Sequence, residues 1–199
     1  MDKTPDPIQE LVTAARRKQI LDAATQVFAE KGFHRATIKE IARVAGIADG
    51  TIYTYFASKD EVLLAVLDRL NETTERKQQL VLGSEQDPKA FFRAYLQQRM
   101  ALLWPNAEVF RAVLPELFVN GELRRQYYEQ VLAPTIAVGE QFFQVQSEQP
   151  QINIPLTVRA IAGTLLGLLV LQLLGDEVLA GQWEALPDVL TTLFFDKIV

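Results

Sequence analysis

The side chains able to do chemistry in this 199-residue chain are few, and they exclude most catalysis. There is no cysteine, and His34 is the single histidine. A thiolate nucleophile, a disulfide and a zinc site are therefore not expected, and His34 reads as an exposed loop residue rather than a ligand or base. No G-x-S-x-G, H-E-x-x-H or glycine-rich phosphate loop occurs. What remains is a run of recognition chemistry: Thr37 and Lys39, then Asp49-Gly50-Thr51-Ile52-Tyr53-Thr54-Tyr55-Phe56, then Lys59. Hydroxyls, phenols and amines interleaved with two apolar anchors suit hydrogen bonding to phosphates and base edges in a DNA groove. Each residue also has a plainer reading: Thr37 as a helix cap alone, Tyr53 as core, Lys39 as a solvated charge.

These residues need helices to hold them. Apolar residues recur at three- and four-residue spacing over Leu11 to Glu30, Thr37 to Val44 and Asp60 to Leu82. The first run places Ile20, Leu21, Ala24, Val27 and Phe28 on one face. Thr37 with Glu40 three residues on forms a capping box, behind which Ile41, Ala42 and Val44 point inward. Gly46 supplies the turn, with the positive φ that other residues avoid. Ile52 and Phe56, spaced i, i+4, anchor an eight-residue third helix over Asp49 to Phe56. Its remaining residues then face outward or sideways. The spacing as a whole predicts a helix-turn-helix.

The runs I-L-D-A-A-x-x-V-F-A-E-K-G-F, T-I-K-E-I-A-R-V-A-G-I and G-T-I-Y-T-Y-F-A-S-K-D-E-V-L resemble the tetracycline-repressor (TetR) family of bacterial regulators over about 50 residues. The resemblance implies an all-α chain of about nine helices. Residues 1–60 would be a DNA-binding domain, and residues 61–199 a helical ligand-binding and dimerisation domain. It implies a dimer on a palindromic operator in double-stranded DNA, most often as a repressor, released by a small molecule. By position, Thr37 and Lys59 would meet phosphates and Lys39 bases or backbone. Asp49, Gly50 and Thr51 would read base edges, and Tyr53 and Tyr55 would contact phosphates or thymine methyls. Many family members have Ser-Lys where this chain has Ala48-Asp49. Asp49 is therefore expected to cap the recognition helix or to accept from a cytosine amine.

The remainder matches the family only in being helical. Breakers fall at Gly83, Pro105, Pro115, Gly121, Pro150 and Pro155. Asp87-Pro88 and Asn153 with Pro155 are helix openings, and Pro134 lies where it would kink a helix. The surface around Ile161, Leu165, Leu168 and Gln172, with small Ala160, Gly163 and Gly167, is the expected pairing face. Trp183, Leu186, Val189, Leu190, Leu193 and Phe194 of the last helix complete it. The alternative is that these helices are the core of their own subunit. Tyr95, Arg99, Trp104, Phe110, Phe118, Tyr128 and Gln172 are the candidate lining of a mostly apolar effector cavity, suited to a hydrophobic or amphipathic molecule such as an acyl chain, a drug-like aromatic or a bile-acid-like compound. Two other functions stay open: a DNA-binding regulator with no small-molecule effector, and a helical enzyme or carrier.

The formal net charge is −5. Residues 1–60 carry nine Lys and Arg against eight Asp and Glu, so the acidity sits in the second part. A near-neutral reading head implies modest, salt-sensitive affinity that pairing would strengthen. The polar N-terminus has no apolar signal-peptide core, which points to a cytoplasmic protein. The uncharged run Ala160 to Gly175 is shorter than the roughly 20 residues of a membrane span and reads as a buried helix. No membrane partner and no cofactor are expected.

Overall fold

A computed structural model describes residues 7–72, 87–146 and 152–195. The continuation of the fourth helix to Leu82 and the breakers at Gly83 and Pro150 lie outside the described residues. Every regular element within them is helical, in the order α1 (Pro7–Lys31), α2 (Ile38–Ala45), α3 (Asp49–Ile52), α4 (Lys59–Asn71), α5 (Pro88–Leu103), α6 (Ala107–Val119), α7 (Gly121–Tyr127), α8 (Ala133–Gln146), α9 (Ile154–Leu173), α10 (Glu177–Gln182) and α11 (Leu186–Phe194). These form two compact units. One runs to Leu67 and includes Glu108–Arg125; the other comprises Asp68–Ala107 and the chain from Gln126 onward.

In the first unit, α1 begins at Pro7, four residues before the apolar periodicity does. Its buried face carries Ile20, Leu21, Ala24, Val27 and Phe28. Gly32, at φ 76°, stops it. Thr37 opens α2 with the expected capping box. Ile41 and Ala42 are buried as expected, but Ala45 rather than Val44 completes the inward face, and Val44 is only half-buried. Gly46 closes α2 in the left-handed region at φ 68°. Its N–H donates to Arg43 and that of Ile47 to Ala42, the paired bonds that satisfy a helix's last carbonyls.

The third helix is half the expected length, Asp49–Ile52. Beyond it the chain continues in tight turns, with the N–H groups of Thr54, Tyr55 and Phe56 bonding back to Thr51 and Ile52. β-Branched and aromatic residues dominate this segment and propagate a helix poorly. Ile52 and Phe56 are nevertheless both buried, at 0% and 1% exposure, so the anchoring works without a full helix. The same unit holds α6, whose Val109, Phe110, Val113 and Leu117 are buried. Pro115 lies inside α6 rather than ending it; it removes the N–H that would bond Arg111, and the helix carries on to Val119.

The second unit is built on an aromatic core of Phe92, Leu96, Met100, Phe142, Phe143, Val158, Ile161, Leu190 and Phe195. Asp87 caps α5 by accepting from the Lys89 N–H, and Asn153 caps α9 by accepting from that of Leu156. The kink expected at Pro134 takes the form of a π turn, Tyr128–Leu132, just before α8. Pro134 cannot bond the Gln130 carbonyl and crowds it, so the preceding turn widens. Asn71 and the Thr135 hydroxyl both donate to the Val131 carbonyl there.

Two expectations about the last helices need correction. The Ala160–Gly175 run is not a buried helix: of α9, only Val158, Ile161 and Leu169 are buried. The face expected to pair is also rotated. Ile161 is core, Leu165, Leu168, Trp183, Leu186 and Phe194 pack against that core, and Leu190 is buried in it. That core takes one side of α9 and leaves the other side open. Exposed instead are Leu156, Leu166, Val170, Leu171 and Leu174, with Val189 and Leu193 on α11. Ala160, Gly163 and Gly167 share that exposed side, as expected. By length and composition α9 could cross a membrane, with 17% of its apolar window buried.

A Cβ built on Gly46 meets nothing within 4 Å, so replacing it costs backbone strain alone. Gly46→Ala should lower the unfolding free energy by about 1–2 kcal/mol in a urea titration, and Gly46→Asn by less, because asparagine tolerates the left-handed region.

Candidate nucleic-acid interface

With Ile52 and Phe56 turned inward, the rest of the segment faces out. Asp49, Gly50, Tyr53 and Thr54 are exposed, while Thr51 and Tyr55 are half-buried. Tyr53 is 58% exposed, which removes the core reading of it. Gly50 is outside the left-handed region, and a Cβ there would meet nothing in the protein. The fold does not need a glycine at this point, and its bare surface leaves room for close approach. Asp49 does not cap the helix: the N-cap is Ala48, with no side-chain bond, and Asp49 is the first helical residue. Its carboxylate is therefore not used by a cap, which leaves an outward acceptor.

Thr37 and Lys39 sit at the start of α2, both exposed. The Thr37 hydroxyl and N–H both donate to Glu40 Oε2, at 3.0 and 3.1 Å, and the Glu40 N–H donates back to the hydroxyl at 3.2 Å. Lys31 completes the cluster through an ion pair with Glu40. The Lys31 ammonium and the Thr37 donors hold the Glu40 carboxyl below the usual carboxylate range. An incoming phosphate would compete with that carboxylate for the Thr37 donors.

Lys59 is the residue whose surroundings differ most from a free surface cation. Its ammonium donates to the carbonyls of Phe33 (2.9 Å) and Ala36 (3.0 Å) and lies 4.3 Å above the Phe33 ring. It ties the α1–α2 connection to the start of α4 and keeps one N–H in hand. Two further clamps were not legible in the sequence. Arg17 donates to the Tyr55 carbonyl at 2.8 Å, with its guanidinium 4.3 Å from the centre of the Phe56 ring. Gln19 donates to the Ala45 carbonyl. Their partners lie 38 and 26 residues away, and no local pattern announces such a bond. His34 is exposed as expected, but it also meets a buried carboxylate, with Nε2 2.9 Å from Glu116 Oε1.

The candidate cavity residues are divided between the two units. Phe110 is buried in the first unit, and Phe118 is exposed on it. In the second unit Tyr95 packs on the aromatic core, Trp104 lies tilted against Trp183 with ring centres 5.3 Å apart, and Tyr128 is exposed. Arg99 is buried and turned to the end of α4, donating to the carbonyls of Leu70 and Asn71 and to the Glu72 carboxylate. A helix C-terminus attracts a cation in this way, so Arg99 is a cap rather than a free anchor for a ligand. Gln172 does keep a buried Oε1 with no hydrogen-bond partner among the described residues.

Comparison with known proteins converges on the same segment. Residues 20–66 match the pattern of the bacterial regulatory proteins of the tetR family. The fatty acid metabolism regulator protein of Bacillus subtilis is 38% identical over 85 residues, which is 43% of this chain and 40% of that protein. The regulator UidR of Escherichia coli is 26% identical over 160 residues, 77% of this chain and 79% of that protein. The matches to the first of these curated relatives span about two fifths of their length or less. In fold, the chain resembles the Bacillus subtilis regulator FadR in complex with stearoyl-CoA, with a TM-score of 0.71 at 24% identity over 89% of this chain and 96% of that one. FadR from Bacillus halodurans gives 0.73 at 24% identity with the same coverage. Residues 20–66 are thus similar to the tetR family, and the chain as a whole shares the fold of these solved structures.

The division between anchors and outward residues has a direct consequence. Ile52→Ala should cost about 2–5 kcal/mol in chemical denaturation, by lost burial and a cavity. Tyr53→Ala should stay within about 0.5 kcal/mol of the unsubstituted protein.

Proposed function

We propose that the chain is a cytoplasmic, ligand-responsive transcriptional regulator and not an enzyme. It represses by binding a palindromic operator as a dimer and is released by a hydrophobic or amphipathic small molecule. Residues 1–60 would read DNA, and residues 61–199 would pair and sense. The observation that carries this is the short segment after Gly46. Its buried side is fixed by Ile52 and Phe56, and its outward side offers Asp49, Gly50, Thr51, Tyr53 and Tyr55. Base edges would be read by Asp49, Gly50 and Thr51, and the two tyrosines would reach phosphates or thymine methyls. Lys39 extends outward from α2 to base or backbone. Lys59 offers its remaining N–H to a phosphate, and Thr37 its donors once the duplex displaces Glu40.

Pairing is supported by the bare side of α9. Leu156, Leu166, Val170 and Leu174, with Val189 and Leu193 of α11, expose too much apolar surface for a lone soluble subunit. Glycines 163 and 167 let backbones approach closely. A two-fold pair through this face presents two reading heads, which a palindrome requires. The acyl-type effector is supported by the fold shared with the stearoyl-CoA-bound FadR and by the unmet acceptor of Gln172. An effector that binds better to the dimer with its heads displaced pulls it from DNA, and operator DNA weakens effector binding by the same factor. A second reading, in which the protein binds DNA without a small-molecule effector, is favoured by Arg99, whose guanidinium is spent on the end of α4.

Selecting bound duplexes from random sequence tests the proposal. A palindromic consensus is expected, with half-sites one helical turn (about 34–36 Å) or a multiple apart, and Thr51→Ala should shift the preferred bases. Stearoyl-CoA should then release the selected duplex; retention of DNA in its presence supports the effector-free reading. A folded dimer that enriches no sequence overturns the assignment.

A further inference from the structure

The reading segment is too short to hold its own shape. Only Asp49–Ile52 is helical, and the carbonyls of the turns that follow have no further helical turn to receive. The bond that fastens its far end comes from α1. Arg17 donates through Nη1 to the Tyr55 carbonyl at 2.8 Å, and its guanidinium lies 4.3 Å from the centre of the Phe56 ring. Gln19, two residues along the same helix, donates to the Ala45 carbonyl on the near side of the segment. One rigid helix therefore grips the backbone just before the turn and again at its last outward residue.

We propose that Arg17 is a positioning residue for base recognition, holding Tyr55 and the end of the reading segment at the angle that base contacts require without touching DNA itself. This rests on the reading of residues 49–55 as the DNA-contacting face. The chemistry fits the task. A planar guanidinium bonds a carbonyl in its plane while its face lies on an aromatic ring, and this fixes the angle between the two in a way that a freely rotating ammonium does not. The half-buried position keeps the charge from being free for a phosphate. Phe56 is itself buried, at 1% exposure, and the bond to the Tyr55 carbonyl links α1 to Tyr55 directly, so the grip does more than cover a ring.

Binding of the full-length Arg17→Met and Arg17→Lys proteins to two duplexes tests it, one carrying the consensus selected by the unsubstituted protein and one of scrambled sequence, each over a salt series. Methionine keeps the apolar contact with Phe56 and removes the donors. Lysine keeps the charge. The expected result is that both variants lose roughly tenfold in affinity for the consensus, the scale of one lost base-pair contact. Affinity for the scrambled duplex should change less than about twofold, with the salt slope unchanged. If Met weakens both duplexes alike and lowers the slope by about one while Lys does not, Arg17 is a phosphate contact and the proposal fails. If Lys binds both duplexes as the unsubstituted protein does, the guanidinium geometry is irrelevant and the proposal fails too. Circular dichroism and thermal midpoints establish that each variant is folded, and the Lys variant decides the matter should Met unfold. Absence of consensus preference in the unsubstituted protein would instead sink the DNA-reading assignment.

Discussion

Two apolar side chains four residues apart hold the candidate interface together. Ile52 and Phe56 are buried in the first unit, as are Ile20 and Phe28 of α1, Ile41 of α2 and Val62 and Leu63 of α4, all at 0–1% exposure. Burying two such side chains contributes a few kcal/mol, a large fraction of the net stability of a small unit. That burial fixes which side of the segment turns away from the protein. Everything between and beside the anchors can then be chosen for recognition, which is why hydroxyls, phenols and a bare glycine can sit side by side on a short stretch of poor helix formers.

Hydrophobic burial sets the direction of the segment, and side-chain hydrogen bonds to backbone carbonyls set its angle. Arg17, Gln19 and Lys59 each direct a side-chain N–H to a backbone carbonyl on another element. Two of them also place a cation over a ring of the core, Arg17 on Phe56 and Lys59 on Phe33. Such contacts are directional and lose strength quickly when displaced, so they tie the small helices to the long one. The second unit follows a different plan. Its aromatic core takes one side of α9 and α11, and the other side keeps its apolar residues in the open.

The short-range features were legible in the sequence. Thr37 with Glu40, Gly46, and the Ile52 and Phe56 pair each act over three or four residues, and the structure places them as their spacing requires. Asp87 and Asn153 announced their helices for the same reason. Orientation of the apolar C-terminal helices was not legible, because α9 is apolar nearly all round and periodicity cannot choose between two equally greasy faces. Val44 and Ala45 traded places within one turn on similar grounds. Arg99 illustrates the harder failure. A cation among aromatics looks like a ligand anchor until the end of α4 is found beneath it. Arg17 and Gln19 were invisible as clamps, since a polar residue on a helix carries no mark of a carbonyl tens of residues away.

Photo-crosslinking would examine the claim on which all of this turns. The selected duplex, carrying 5-iododeoxyuridine in place of successive thymidines, would be irradiated with the bound protein and the attached peptide sequenced. Attachment at Tyr53 or Tyr55, appearing only with substitutions inside the half-sites, is the predicted result. Efficient attachment that maps to other peptides and never to residues 49–56 would contradict the account.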